Sequence, residues 1–426
     1  MLEQFVTVMP GTLGAALIVM SVSVMLGAGE GKSKPRSSRW RLYGLGIGCL
    51  AAVIFAALRA TAVINQRTVV NYPTLICCVL ADMALAVVLF GARKTVSERA
   101  EHPRRLDLSN AIAAVAIALI VFRALPDVIL ELTIFVEPGD PVFTSAMLLR
   151  ALGFIMGLAA SIIVACIVRS LRACVHVRFF DAAALLLLAL IFIQHVTALL
   201  TVMQTTGDVF LRGTSFRLLA WLINHATPLI IAQIVVFLLP AIASIVAGFR
   251  MPVAGENTAI VRQHTALRRR AKAAGVWTIL AVIGVTVALT YGVAQTNQVP
   301  VLSPPESYAL SSNKSVATIK FSQLADGHLH RFEYKAKDGT VMRFIIIKKN
   351  GGAYGVGLDA CDNCGDAGYY EKDGKIICKR CDVAINLATI GFAGGCNPIP
   401  FPYQAGNGSI TIQTSDLDAL SSHFKS

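Results

Sequence analysis

The stretch Ala182–Met203, AAALLLLALIFIQHVTALLTVM, carries no Asp, Glu, Lys or Arg. A membrane-spanning helix needs about 20 mostly apolar residues, because a rise of about 1.5 Å per residue must cross about 30 Å of hydrocarbon. This stretch is long enough. Seven others meet the same test: approximately 5–27, 43–64, 72–92, 108–136, 144–168, 214–249 and 275–295. The run 214–249 is too long for one straight span, since it would extend roughly 54 Å as helix. A tilt, a kink at Pro228 or Pro240, or an extension beyond the bilayer would accommodate it.

The whole chain has 426 residues, of which 55% are hydrophobic and only 15% charged. Soluble domains carry about 25% charge, so this composition belongs to a polytopic membrane protein. The formal charge of +13 is unevenly placed. Residues 296–426 hold 13 basic and 12 acidic side chains, so nearly all of the excess lies in the first 295 residues. It is concentrated at 28–42 (Lys32, Lys34, Arg36, Arg39, Arg41), at 93–107 (Arg93, Lys94, Arg99, Arg104, Arg105), at Arg169, Arg172 and Arg178, and at 250–272. Short cytoplasmic loops are rich in Lys and Arg. The intervening loops are poor in base, and 137–143 has only Glu137 and Asp140 as charges. Eight spans with this alternation put both the N-terminus and the C-terminal tail outside the cytoplasm. The basic excess thus needs no nucleic acid; its partner is the membrane lipid. Met1–Gln4 includes Glu3 and no base, and the positive cluster follows the first apolar run, so the first span is not a cleaved signal peptide.

After Tyr291 the composition changes. Residues 296–314 read as a linker between the transmembrane bundle, 1–295, and a small domain, 315–426. Short β-type runs at Ser315–Ile319, His330–Tyr334, Val341–Lys348 and Ser409–Gln413, with turns at Asp326-Gly327, Asp338-Gly339 and Asp373-Gly374, make that domain β-rich. A domain of this size often needs a metal or disulfide staple.

Five cysteines supply one. Cys361, Cys364, Cys378, Cys381 and Cys396 follow the pattern Cys-x2-Cys-x13-Cys-x2-Cys-x14-Cys. A Cys-x2-Cys turn aims two thiolates at one ion or cluster edge, and a second turn supplies the other side. Gly365 removes a Cβ where the backbone bends past the sulfurs. Spacing alone leaves zinc and an iron-sulfur centre equally open. Disulfides are a weaker alternative, because pairing five cysteines leaves one unpaired. His328 and His330, two apart on a strand, would share one face, as a second metal site, as donors to cluster sulfur, or as plain surface residues. Cys49, Cys77, Cys78, Cys166 and Cys174, in or beside spans, read as small apolar filler.

The runs Asp359-Ala360-Cys361-Asp362-Asn363-Cys364-Gly365, Ile377-Cys378-Lys379-Arg380-Cys381-Asp382 and Gly394-Gly395-Cys396-Asn397-Pro398-Ile399-Pro400 resemble the FtrD-like family of membrane iron-sulfur proteins. Asp326-Gly327-His328-Leu329-His330-Arg331-Phe332 resembles it too. The resemblance is densest over 320–420. It implies cluster ligation by Cys361, Cys364, Cys378 and Cys381, with Cys396 as a fifth candidate. It also implies a role in bacterial iron uptake beside an iron permease and a secreted, extracytoplasmic iron-binding protein. The expectation is an electron-transfer component of the bacterial inner membrane that acts as a redox partner for iron rather than as a stand-alone enzyme. The alternatives are a zinc-stabilised docking module of a metal transporter complex and, more weakly, a thiol-disulfide exchanger, although no thioredoxin-like pattern surrounds the cysteines.

Ionisable residues inside spans cost about 2.5–3.5 kcal/mol each at a helix centre, and so mark function by default. Arg123, Asp127 and Glu131 follow i, i+4, i+8 and share a helix face. Arg59, Asp82, Arg150, His195 and His225 come from other spans. Counting along the helices puts His195 and His225 each about 12 Å below the outer boundary. A quinone, a haem with these histidines as axial ligands, or a metal-entry site would suit that level; so would simple pairing of Asp127 or Glu131 with Arg123. The Arg-Glu-x-x-Glu motif of iron permeases is absent, which makes the chain a partner of the permease rather than the permease itself.

Overall fold

The computed structural model describes all residues except 28–34, 136–142, 174–176, 297–300, 350–351, 373 and 426. Lys32, Lys34, Glu137, Asp140, Cys174, Asp373 and part of the linker therefore lie outside the described residues. Two compact units divide the chain, Met1–Asn297 and Gln298–Ser426.

The first unit is a helical bundle. Its spans begin with α1 (Leu2–Met25), α2 (Trp40–Ala60), α3 (Thr68–Ser97), α4 (Pro103–Leu130), α5 (Ser145–Ser170) and α6 (Val177–Thr206). The long seventh stretch is broken into α7 (Thr214–Asn224), α8 (Ala226–Val235) and α9 (Leu238–Arg250). Both prolines act. A proline clashes with the carbonyl four residues earlier, which is Asn224 for Pro228 and Val236 for Pro240, and those are the two places where the helix stops. The last span opens with α10 (Thr258–Val287), which corrects the sequence reading of 250–272 as loop, because Arg262, Arg268, Arg269, Arg270 and Lys272 are helical. Lys and Arg are good helix formers, so charge alone does not end a helix. Asn257 starts it, its Oδ1 accepting from the Ile260 N–H at 2.9 Å. Among the described residues eight helices are long and apolar enough to cross a membrane, and the chain is a multi-pass membrane protein.

The most buried of these helices is α1. It packs on α4, α5, α6 and α8. Its contact with α5 is fastened by Thr12 Oγ1 and Ser161 Oγ at 2.7 Å, both buried, and Ser161 also donates to the Met9 carbonyl at 3.2 Å. Small hydroxyl residues let two backbones approach closely.

The second unit is β-rich and antiparallel. One sheet joins β1 (Ala309–Leu310), β2 (Val316–Lys320), β10 (Ser409–Gln413) and β9 (Gln404–Gly406), in that order. A second is the meander β3 (His330–Lys335), β4 (Val341–Lys348) and β5 (Tyr354–Leu358). Ala317, Ile319, Phe332, Phe344, Ile410 and Ile412, from both sheets, share one core. A small third sheet holds β6 (Tyr369–Lys372), β7 (Lys375–Cys378) and β8 (Ala384–Ile385). The fold class is the one the sequence predicts.

Candidate metal centre

Both Cys-x2-Cys turns leave the ends of strands. Just beyond β5, Cys361 and Gly365 exchange backbone hydrogen bonds of 3.0 and 2.9 Å, which closes the first turn. Gly365 takes φ +65°, open to glycine at little cost. The Cys364 N–H donates to Cys361 Sγ at 3.2 Å. The second turn, at the end of β7, repeats the device. Cys378 N–H donates to the Val383 carbonyl at 3.1 Å, and Asp382 N–H donates to the Cys378 carbonyl at 2.9 Å. Here the residue after the second cysteine is Asp382, at φ +54°, a conformation that Asp tolerates better than most residues. The fifth cysteine is delivered by Gly394 and Gly395, both at positive φ, and its carbonyl accepts from Tyr369 Oη at 2.7 Å.

The sulfurs converge. Those of Cys361, Cys364 and Cys378 lie within 4.8 Å of one another, and so do those of Cys364, Cys381 and Cys396. Cys364 belongs to both sets. Cys381 and Cys396 are 3.7 Å apart, and all nine described cysteines are free thiols. Cys361, Cys364 and Cys378 are buried among Leu329, Ile345, Tyr369 and Ile376. Cys396 is half-buried and Cys381 exposed, so the group has a dry side and a wet edge.

That asymmetry sets the thiol acidities. Burial pushes the Cys364 and Cys378 thiols up, while the Val383 N–H aimed at Cys381 pulls that thiol down. Cys396 is raised by its hydrogen bond with Cys381. The donor set, five thiols without histidine or carboxylate, suits soft metal: zinc and iron-sulfur clusters are both held this way.

Asp359, two residues before Cys361, anchors the first turn. It is fully buried, accepts from Arg331 Nε at 2.8 Å and Arg343 Nε at 3.0 Å through one oxygen, and takes the Tyr369 N–H at 2.8 Å on the other. Arg331 also donates to the carbonyl oxygens of Ser303 and Tyr369. Sequence reasoning passed over this pair, whose members lie 28 residues apart.

The two histidines do not share a strand face as expected. Strand β3 begins at His330, leaving His328 in the preceding bend. His330 is buried and engages Glu306 through Nδ1 and Asp326 through Nε2, both at 2.8 Å. His328 is exposed and contacts Glu371 at 2.9 Å, a partner that raises its pKa. Carboxylates thus occupy His330 on both ring nitrogens.

In the bundle, Arg123, Asp127, Glu131 and His195 line one cavity, and His225 does not. His225 is turned to Trp221, stacking on its ring at 4.4 Å with Nδ1 2.8 Å from its carbonyl. The two histidines are therefore not brought together at this cavity. Nor does Arg123 pair with its helix neighbours: Asp127 meets Arg59 at 2.7 Å, and Glu131 accepts from Gln4 at 3.4 Å. His195 Nδ1 lies 2.6 Å from Asp82 Oδ2. Arg150 donates to the Ile134 and Phe135 carbonyls at 3.2 Å. Among the other cysteines Cys78 is buried, Cys49 half-buried, and Cys77 and Cys166 exposed.

Residues 324–424 match the family model described as "Membrane iron-sulfur containing protein FtrD-like". No curated protein and no solved structure matches the chain. The matched segment contains all five converging cysteines, the Arg331–Asp359 pair, His328 and His330.

Proposed function

We propose that this chain is a membrane-anchored iron-sulfur electron-transfer component of a bacterial iron-uptake system. It acts on the outer face of the inner membrane, exchanging electrons with iron or with a protein that carries it. An iron permease and an extracytoplasmic iron-binding protein are its partners in this reading.

The observation that carries the reading is the crowding of five thiols around Cys364. A structural zinc ion takes four ligands, so a fifth sulfur in contact has no place in its coordination. An iron-sulfur cluster also takes four cysteines, but a fifth thiol beside it can tune its reduction potential, a use that redox-inert zinc does not offer. Cys361, Cys364, Cys378 and Cys381 would hold the cluster, and Cys396 would stand as an alternate ligand or a hydrogen-bond donor to ligand sulfur. When bound, such a cluster supplies one-electron oxidation and reduction. The chain's own contribution is the burial of three sulfurs among apolar side chains, which excludes water and lowers the local dielectric, and the exposure of Cys381 at the edge where a partner approaches. The outward placement is supported by the alternation of basic and base-poor loops.

The test is metal analysis of the full chain purified without oxygen. Iron with acid-labile sulfide, visible absorbance and an EPR signal on one-electron reduction are expected. Stoichiometric zinc in a colourless, EPR-silent protein overturns the redox reading and leaves the docking module. A reporter at the C-terminus that is active only in the cytoplasm overturns the outward placement.

A further inference from the structure

Between α1, α4, α6 and α8 the bundle holds a cavity of about 340 Å³, within the range of small-molecule sites. Glycines on α1 make the room: a Cβ on Gly11 would lie 2.6 Å from Val128 Cγ2, and one on Gly14 would lie 2.5 Å from Gln233 Oε1. Arg123, Asp127, Glu131, Gln194, His195 and Gln233 supply the polar lining. So many polar groups inside an apolar bundle are costly and call for a function.

Most of these groups have partners within the bundle. Gln233 Nε2 donates to Gln194 Oε1 at 2.7 Å, Asp127 is paired with Arg59, and Glu131 is held by Gln4. Two are left. Arg123 makes no hydrogen bond or ion pair among the described residues. His195 spends Nδ1 on buried Asp82, and its Nε2 has no hydrogen-bond partner among the described residues. An imidazole held by a carboxylate on one nitrogen is fixed in tautomer and orientation, with the other nitrogen available to a ligand. Asp82 itself is strained for partners, since its Oδ1 is buried without a hydrogen bond.

The lining selects the ligand's charge. A simple anion drawn to Arg123 would also face the carboxylates of Asp127 and Glu131. A metal ion lacks a cradle, because among the described residues three or more metal-donor atoms come within 4.8 Å of one another only at the tail cysteines. What fits is a neutral group with one oxygen to accept from a guanidinium and another to hydrogen-bond an imidazole, carried on an apolar molecule that reaches the bundle from the bilayer. We propose that the cavity binds the head group of a membrane quinol, one ring oxygen accepting from Arg123 and the other ring hydroxyl donating to Nε2 of His195, with Asp82 as the positioning residue that holds Nδ1–H. The choice of a quinol over another neutral amphiphile rests on the electron-transfer reading of the cysteine domain. The cavity and its two free groups do not.

The test uses the full chain in nanodiscs of phosphatidylethanolamine and phosphatidylglycerol, titrated without oxygen with decylubiquinol, with bound quinol quantified after separation and metal content measured on the same samples. Saturable binding near one quinol per chain is expected, weakened at least tenfold in His195→Gln and in Arg123→Gln. Ala198→Leu, which adds bulk to the cavity lining without replacing a polar side chain, should weaken it similarly. His225→Gln, outside the cavity, should not. Absence of saturable binding, or affinities within twofold across all variants that keep a monodisperse elution profile, overturns the proposal. Saturable, variant-sensitive binding in a protein without iron and sulfide keeps the site and removes the electron-transfer reading, so the two failures are distinguishable.

Discussion

The guanidinium of Arg331 and the carboxylate of Asp359 are both sealed from solvent and meet at 2.8 Å. Between them they tie the strand before the first cysteine turn to Ser303, to Arg343 and to the backbone of Tyr369. The pair therefore sets the position of Cys361 relative to the sheet that carries Cys378.

Removing one partner of a buried pair costs about 3–5 kcal/mol, and Arg343, 3.0 Å from the same carboxylate, keeps the loss of Arg331 toward the lower end. Arg331→Met should destabilise the C-terminal unit by that order and lower metal retention, read by denaturant unfolding and metal analysis. The double variant Arg331→Met, Asp359→Leu should recover part of the loss, because apolar replacement of both partners removes the orphaned charge. Additive losses in the double variant would show that the two side chains act separately.

A second pair governs acid sensitivity. Asp338 contacts Lys425 at 2.8 Å and accepts from Ser421 Oγ at 2.8 Å and the Thr340 N–H at 3.0 Å. Lys425 first, then these donors, hold its carboxyl well below the usual range. A carboxyl depressed in the folded state stabilises fully above its unfolded pKa, about 3.9, and that contribution is lost as pH falls through the lower folded value. The C-terminal turn Ser421–Phe424 should thus loosen only below about pH 4, whereas Asp338→Asn should loosen it at pH 7. Protease cleavage near residue 420 as a function of pH checks both statements.

What was legible in the sequence was whatever is written contiguously. Apolar runs gave the spans, and the cysteine spacing gave the converging thiols, because both signals are local. The strands rich in β-branched or aromatic residues, β2, β3, β4 and β10, were legible for the same reason. The glycine-interrupted β5 (YGVGL) and the short β6 and β7 were not. Long-range partners were the larger loss: His195 meets Asp82 across 113 positions, and Arg59 meets Asp127 across 68. Each residue stood out alone as a charge in a span, but nothing in one sequence says which two helices are neighbours. His195 and His225 both stood out as histidines in spans, but only His195 lines the cavity, a difference of helix face that depth counting does not resolve.

Helix neighbours α2 and α4 do carry a local sign. Gly44 and Gly48 stand one turn apart, and a Cβ on them would lie 2.2 Å from the Ala114 carbonyl oxygen and 2.6 Å from that of Ala118. Close backbone approach at small-x3-small positions is a common way to pack helices in lipid. Gly44→Ala must push the helices apart and should cost about 1–3 kcal/mol, the range of overpacked cores. Gly46, whose Cβ would meet nothing within 4 Å, is the control. Gly46→Ala should be neutral or slightly stabilising, since alanine is the better helix former. Thermal aggregation midpoints of the two variants in detergent separate them; equal midpoints would remove the close-packing argument.

The cysteine series decides which sulfurs hold metal. Cys364 is common to both groups of converging thiols, so Cys364→Ser should abolish metal binding outright. Cys361→Ser, Cys378→Ser and Cys381→Ser should each lose most of it, because a cluster short of one thiolate is labile. Cys396 differs in kind. It arrives on a glycine-rich loop from a different part of the chain, is only half-buried, and touches Cys381 at 3.7 Å and Asn363 Nδ2 at 3.9 Å. As a donor to the Cys381 sulfur it withdraws electron density from that ligand, and hydrogen bonds to ligand sulfur raise reduction potential. Cys396→Ala should accordingly retain iron and sulfide while shifting the potential downward, with an altered absorbance band. Should Cys396→Ala lose metal while Cys381→Ser keeps it, the ligand set is Cys361, Cys364, Cys378 and Cys396, and the exposed sulfur of Cys381 becomes the donor at the edge.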